Sequence, residues 1–198
     1  MKHSYKENLK IKDKRRTDIL DSALFLFVHM GKSAVSMDSI SKRARCSHGL
    51  IYYYYNSKDA ILEALRQDAE KVFKGQFEFI KKQGLEGLEF FKAFTKTVLD
   101  VIQQGEKESY YIALFLTSLL ENEGHNNDKI TNWLEQQVIK EQKRGIFEDG
   151  NARTYLLLYF TLLDGLTTRQ IRTKNGLPNP DFRFIVNLFI KNEEVRNA

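Results

Sequence analysis

SMDSISKRARCSHGLIYYYYNSKD, residues 36–59, is the stretch on which the fold turns. Ser36 has the side chain of an N-cap, and Asp38 stands in the first turn, where the helix dipole favours a negative charge. Met37, Ile40 and Ala44 recur at helical spacing and form a stripe to be buried. Arg45-Cys46 reads as the turn and Ser47 as the next cap. The segment after it is ambiguous taken alone, because Ile51-Tyr52-Tyr53-Tyr54-Tyr55 has high β propensity. Its setting, between capping serines at 47 and 57, predicts a short helix.

Working outward, residues 1–12 read as a flexible basic arm, with Lys10, Lys12, Lys14, Arg15 and Arg16 clustered where it ends. The first helix is expected over about 13–30, with Ile19, Leu20, Ala23, Leu24, Phe27 and Val28 on one face and Gly31 closing it. A longer helix follows Ser57 and runs to about residue 82, with Ile61, Leu62, Leu65, Ala69 and Val72 inward. Residues 88–104 are apolar on more than one face, which suits a central helix of a bundle. Further helices are expected at about 108–121, 128–144, 152–172 and 181–192, the last opened by Asn179-Pro180. The two prolines, at 178 and 180, leave a long stretch compatible with helix. The fold class is therefore all-α: a helix-turn-helix domain at 13–57, a connecting helix at 58–82 and a helical bundle at 83–198.

Composition narrows the function. The 198 residues are 42% hydrophobic and 29% charged, a globular balance. The nearly apolar run from Tyr110 to Leu120 is too short to cross a bilayer. The N-terminal segment lacks the apolar core of a secretory signal, and the single cysteine, Cys46, fits a reducing cytoplasm. Metal-ligand spacing, a nucleophile–base motif and a phosphate loop are all missing from the sequence, so no metal, cofactor or enzyme activity is expected. Glu121, Glu123 and His125 gather around Gly124, where a loop is expected, and do not make a catalytic motif. Residues 1–66 carry 13 lysines and arginines against 7 acids, whereas the remainder is nearly balanced. A basic first third on a near-neutral remainder points to a polyanion-binding module joined to a second module with another task.

Three helices with a tight turn between the second and third make a helix-turn-helix. Ile19-Leu20…Ala23…Phe27…Gly31, Ser36-Met37-Asp38-Ser39-Ile40 and Ser47-His48-Gly49-Leu50-Ile51-Tyr52-Tyr53-Tyr54-Tyr55-Asn56-Ser57-Lys58-Asp59 together resemble the TetR/AcrR family of bacterial transcriptional regulators. The resemblance covers about residues 13–66. It extends weakly to Lys143-Arg144-Gly145-Ile146-Phe147 and Leu162-Leu163-Asp164-Gly165-Leu166. Two positions depart from the family pattern. Arg45 stands at the turn where glycine is usual, and a left-handed backbone there would cost roughly 1 kcal/mol. Tyr55 stands where phenylalanine is usual, so its hydroxyl needs a partner.

At 100° per residue, Ile51 and Tyr55 share the inward face of the third helix. Gly49 and Tyr53 centre the outward face, flanked by Leu50, with His48 and Tyr52 on one edge and Tyr54 on the other. Gly49 permits close backbone approach to base edges, and two of the four tyrosines are expected to touch DNA. His48 replaces the family's usual lysine, so any charge it brings is partial near neutral pH. Ser36, Ser47, Tyr52, Tyr54 and Lys58 resemble phosphate-contacting positions, and Arg45, Lys42 and Arg43 add positive charge nearby. The basic arm is a candidate for a neighbouring minor groove.

The resemblance also implies an effector pocket and a dimer seam in the second module. Phe91, Phe94, Thr95, Val98, Tyr111, Phe115, Trp133 and Tyr159 are the candidate lining of an apolar pocket, although such residues equally build a core. Gly165, Phe184 and Leu188 are the candidate dimer contacts. The expected protein is a cytoplasmic homodimeric repressor on a palindromic DNA operator, released by a small-molecule effector, with no membrane partner. A DNA binder without a switch, or a small helical enzyme, are the alternatives.

Overall fold

The computed structural model describes residues 5–105, 107–121, 129–173, 178 and 180–191, with the side chains of 5–9 and 121 excepted. Nine α-helices occur among them: α1 (Tyr5–Met30), α2 (Met37–Arg43), α3 (His48–Tyr54), α4 (Lys58–Lys81), α5 (Gly87–Gln104), α6 (Lys107–Glu121), α7 (Lys129–Lys143), α8 (Ala152–Arg172) and α9 (Phe182–Asn187). A 3-10 turn at Lys32–Ala34 joins α1 to α2. The chain divides into a unit ending at Asp68 and a unit beginning at Ala69, and α4 belongs to both.

In the first unit the expected stripes form the core. Ile19, Leu20, Ala23, Leu24, Phe27 and Val28 of α1 are buried, as are Ile40 of α2, Ile51 of α3, and Ile61, Leu62 and Leu65 of α4. One expectation needs correction. α1 starts at Tyr5 rather than near residue 13, so Lys10, Lys12, Lys14, Arg15 and Arg16 ride on a helix and not at the end of an arm. Residues 1–4 of that arm lie outside the described residues. The polar first turns carry good helix formers and no glycine or proline, so the helix extends beyond its apolar stripe.

In the second unit α5 is central, with Leu88, Phe90, Phe91, Phe94, Thr95, Val98, Leu99 and Ile102 all buried. The buried stripe of α4 continues through Phe73, Phe77 and Ile80; Val72, expected inward, is only half-buried. The C-terminal helix is shorter than expected. Asp181 caps it by accepting from the backbone N–H of Arg183 at 2.9 Å, so Pro180 precedes the helix, and Asn179 lies outside the described residues. It stops at Asn187 because the chain beyond pairs with residues 146–148: Lys191 N donates to Ile146 O at 2.8 Å and Glu148 N to Phe189 O at 3.2 Å.

The start of α5 explains one glycine. Gly87 has φ +52, its N–H donates to the buried Gln137 Oε1 at 3.0 Å, and a Cβ there would stand 2.1 Å from Glu141 Oε1. The Glu141 side chain is 1% exposed, and Arg144 Nη1 donates to both its oxygens, at 3.0 and 3.3 Å. Gly87→Ala is expected to lose about 1–3 kcal/mol, because the methyl group displaces this carboxylate and strains the backbone. Urea denaturation with unchanged stability would show that Glu141 swings aside freely.

Two buried tyrosines give the second unit an alkaline limit. Burial pushes the hydroxyls of Tyr155 and Tyr159 far above the usual tyrosine range, the Thr95 hydrogen bond lowering the latter slightly. The folded pKa values lie above the unfolded value near 10, so their contribution is complete below about pH 10 and is lost as pH rises further. Stability at about pH 11 should be lower than at pH 9, and Tyr155→Phe should flatten that slope. Equal slopes in the two chains, read by circular dichroism in urea, would contradict the assignment.

Candidate nucleic-acid interface and the interior of the second unit

The presenting helix is built by its caps. Ser36 and Ser39 form a reciprocal box before α2: Ser39 N donates to Ser36 Oγ at 3.1 Å and Ser36 N to Ser39 Oγ at 3.0 Å. The turn into α3 has Arg45 at φ 51, the left-handed conformation anticipated for a glycine position. Ser47 then caps α3, its Oγ accepting from Leu50 N at 3.2 Å. α3 is a helix despite its tyrosine run, because Ile51 and Tyr55 bury in phase against the other helices of this unit.

The remaining tyrosines divide by environment. Tyr55 is 9% exposed and its hydroxyl accepts from Arg16 Nε at 3.1 Å, which supplies the partner its departure from phenylalanine demands. Tyr54 is half-buried and donates to Lys12 O at 3.3 Å. Tyr52 and Tyr53 are 45% and 69% exposed. Gly49 is exposed, with nothing within 4 Å of where a Cβ would stand. Lys12 Nζ lies 5.6 Å from the Tyr53 ring centroid. Lys12 and Arg16 share one face of α1, and both support α3. Sequence spacing indicates the shared face, but not partners some forty residues away.

His48, at the start of α3, is held from α2: its Nδ1 lies 2.7 Å from Asp38 Oδ1, and its ring lies against Tyr52 with centroids 4.8 Å apart. Asp38 thus does more than favour the dipole of α2: it also holds the ring of His48. Lys58 is tied down, its Nζ donating at 3.0 Å to both Lys32 O and Val35 O. Two of its three ammonium protons are thus used within the protein. Beside it, the Lys32 ammonium 2.7 Å from Asp59 holds that carboxyl below the usual carboxylate range. Arg43 lies flat on Phe25, its Cζ 3.4 Å from the ring centroid, while Arg45 is exposed. The helix therefore presents His48, Gly49, Tyr52 and Tyr53 together, flanked by positive charge.

The candidate pocket residues of the second unit do not line one open space. Phe91, Phe94, Thr95, Val98 and Tyr159 are buried, whereas Tyr111, Phe115 and Trp133 are half-buried. Trp133 packs on Phe90 and Phe77 at 4.8 and 5.3 Å, and Phe115 stacks on Phe73 at 3.9 Å. Tyr111 meets Lys107. Only Phe91 and Tyr159 border the narrow gap beside Phe147, Tyr155, Val186 and Phe189, which leaves no room for a water molecule. No local sequence pattern marks residues 147, 155, 186 and 189, because the bridge that helps gather them is long-range. At this centre Thr95 Oγ1 donates to Phe91 O at 2.7 Å, so Tyr159 donates its hydroxyl proton to Thr95 Oγ1 at 2.8 Å. Tyr155 donates to Phe189 O at 2.9 Å.

The candidate dimer contacts face outward. Gly165 is exposed, Phe184 is 67% exposed and Leu188 is 53% exposed; Leu157 and Leu158 of α8 are exposed as well. Of the acidic group near Gly124, Glu121 ends α6, while Glu123, Gly124 and His125 lie outside the described residues. Among the described residues no helix is long and apolar enough to cross a membrane, and no cluster of metal-ligating side chains occurs.

Comparison with known proteins falls first on the helix-turn-helix. Residues 19–65 match the family model described as bacterial regulatory proteins, tetR family. The chain is 26% identical over 110 residues to the HTH-type transcriptional regulator SrpR of Pseudomonas putida, covering 56% of this chain and 50% of that protein. It is 30% identical over 92 residues to the HTH-type transcriptional repressor KstR2 of Rhodococcus jostii (strain RHA1), covering 46% of this chain and 45% of that one. The match spans about half the length of each of these relatives. The fold resembles the crystal structure of apo AibR, with a TM-score of 0.66 at 15% identity over 89% of this chain and 98% of that chain. Residues 19–65 therefore match the N-terminal domain of bacterial regulatory proteins of the tetR family, and the fold of the chain resembles that of apo AibR.

Proposed function

We propose that the chain is a sequence-specific DNA-binding transcriptional regulator that acts as a homodimer on a palindromic operator, most simply as a repressor. The observation that carries this reading is the outward face of α3, where His48, Gly49, Tyr52 and Tyr53 are exposed together while Ile51 and Tyr55 hold the helix in place. One short helix in one major groove reads few base pairs, and two related heads read two half-sites about 34–36 Å apart. Lys10, Lys12, Lys14, Arg45 and Lys58 neutralise backbone phosphates. The exposed Gly165, Phe184 and Leu188, with Leu157 and Leu158, supply the apolar surface for pairing of two chains.

Release by a small apolar or aromatic effector belongs to the same proposal. The Phe91–Tyr159 centre is its entry point, and Thr95 with Tyr159 provides the polar handle. Because α4 is common to both units, movement of its Phe73–Phe77–Ile80 stripe is the route by which an effector alters the heads. A coupling of about 1–3 kcal/mol weakens DNA binding 5- to 150-fold. The narrowness of the gap beside Phe91 and Tyr159 favours a second reading of this step alone, a DNA binder without a switch. Titration with selected and random duplex at several salt concentrations tests the main reading. A regulator keeps a specificity ratio of about 10³ or more while affinity falls steeply with salt; equal affinity for both duplexes rejects sequence-specific regulation.

A further inference from the structure

The hydrogen bond from α2 to the first residue of α3 fixes more than a rotamer. Asp38 Oδ1 lies 2.7 Å from His48 Nδ1, and both side chains are well exposed, 66% and 60% respectively. A carboxylate only accepts, so Nδ1 must carry a proton in either charge state of the ring. The other nitrogen, Nε2, has no hydrogen-bond partner among the described residues. Tyr52 packs against the ring at 4.8 Å and limits its rotation. Other charged groups on the elements around α3 are engaged elsewhere or turned to solvent. Arg43 lies on Phe25, Arg16 on Tyr55 and Lys12 on Tyr53, while Lys42 is exposed.

We propose that Asp38 is a positioning residue that fixes the tautomer of His48, making His48 Nε2 a base-reading atom whose hydrogen-bond sense reverses with protonation. The inference rests on the DNA-binding reading above. With the ring neutral, Nε2 offers a lone pair and accepts from an exocyclic amino group, the N6 amine of adenine or the N4 amine of cytosine. With the ring protonated, Nε2–H donates to an acceptor edge, and guanine, which presents two acceptors (N7 and O6) and no donor in the major groove, is the best match, ahead of adenine N7 or thymine O4. A lysine at this place on α3 could only donate, whereas the imidazole Nε2 accepts or donates according to its protonation. Both sides of the exchange balance: one proton taken from solvent adds to Nε2, and the Asp38 contact becomes a charged pair rather than a hydrogen bond to a neutral ring.

Selection from a randomised duplex pool with the full chain, at about pH 5.5 and pH 8.5, tests this. At one position in each half-site the wild-type chain should favour adenine or cytosine at high pH and guanine at low pH, with relative affinities changing roughly three- to tenfold. His48→Gln should select the same base at both pH values. Asp38→Asn, which no longer requires a proton on Nδ1, should blur the high-pH preference and leave the low-pH preference for guanine. Exposure of both side chains keeps the two variants foldable, which their melting curves verify. Identical wild-type preferences at both pH values, or an Asp38→Asn chain indistinguishable from wild type, overturn the inference while leaving DNA recognition standing. A pool in which the wild-type chain enriches nothing at either pH overturns both.

Discussion

Truncating Phe91 to alanine should destabilise the chain by about 3–5 kcal/mol, the usual cost of deleting a buried aromatic side chain. The side chain is 2% exposed, and its ring meets Phe147 at 5.6 Å and Tyr159 at 5.2 Å, both edge to face. The hydrogen bond from Thr95 goes to the backbone carbonyl of Phe91, so the substitution leaves that bond's acceptor in place. What is lost is packing alone. For a chain of this size the melting temperature should fall by roughly 6–20 °C. The vacated space joins the narrow gap beside Tyr155, Val186 and Phe189, and a small aromatic probe such as benzene should recover part of the loss by binding the folded form. Phe184→Ala, at a side chain 67% exposed, should change the stability of the single chain by no more than about 0.5 kcal/mol. A Phe91→Ala loss below about 1 kcal/mol in urea denaturation would show that this centre is loosely packed.

Tyr53→Ala should produce the opposite profile, a stable chain that binds its operator poorly. Tyr53 is 69% exposed; its structural contacts are an edge-to-face meeting with Tyr54 at 5.3 Å and the Lys12 ammonium at 5.6 Å. Removing the ring should leave stability within about 0.5 kcal/mol. Tyr53 is more exposed than Tyr52, and if α3 reads DNA as proposed its loss should cost about 1–3 kcal/mol for each recognition helix. Tyr54→Phe should cost less on DNA, because that hydroxyl is occupied by Lys12 O. Fluorescence anisotropy with the selected duplex, beside a thermal melt, separates the two effects. Unchanged affinity for Tyr53→Ala would place the reading surface elsewhere on the head.

The head was legible because its signals are local. Ser36 and Ser47 announce α2 and α3 by capping chemistry, and the phase of Ile51 and Tyr55 turns Gly49 and Tyr53 outward; the side chains lie as that phase requires. Even the odd residues were informative: Arg45 takes the left-handed conformation, and Tyr55 finds a donor for its hydroxyl. Where the sequence misled, the deciding contact is distant or the pattern is silent. The early turns of α1 have no apolar stripe, so only helix propensity marks them. The end of α9 is set by pairing of Phe147 with Ile190, more than forty residues apart. The buried line of α4 passes from Ala69 to Phe73, a step of four that leaves Val72 at its edge. Aromatic composition identified the second unit's interior, but could not show how narrow a gap the rings leave beside Phe91 and Tyr159.

Nitration of tyrosines in the chain, free and bound to its selected duplex, tests the central claim most directly. Tyr52 and Tyr53 should react readily in the free chain, and both should be protected when the duplex is bound, while the buried Tyr159 stays unreactive throughout. Full modification of Tyr52 and Tyr53 in a chain still holding its duplex would contradict recognition by α3.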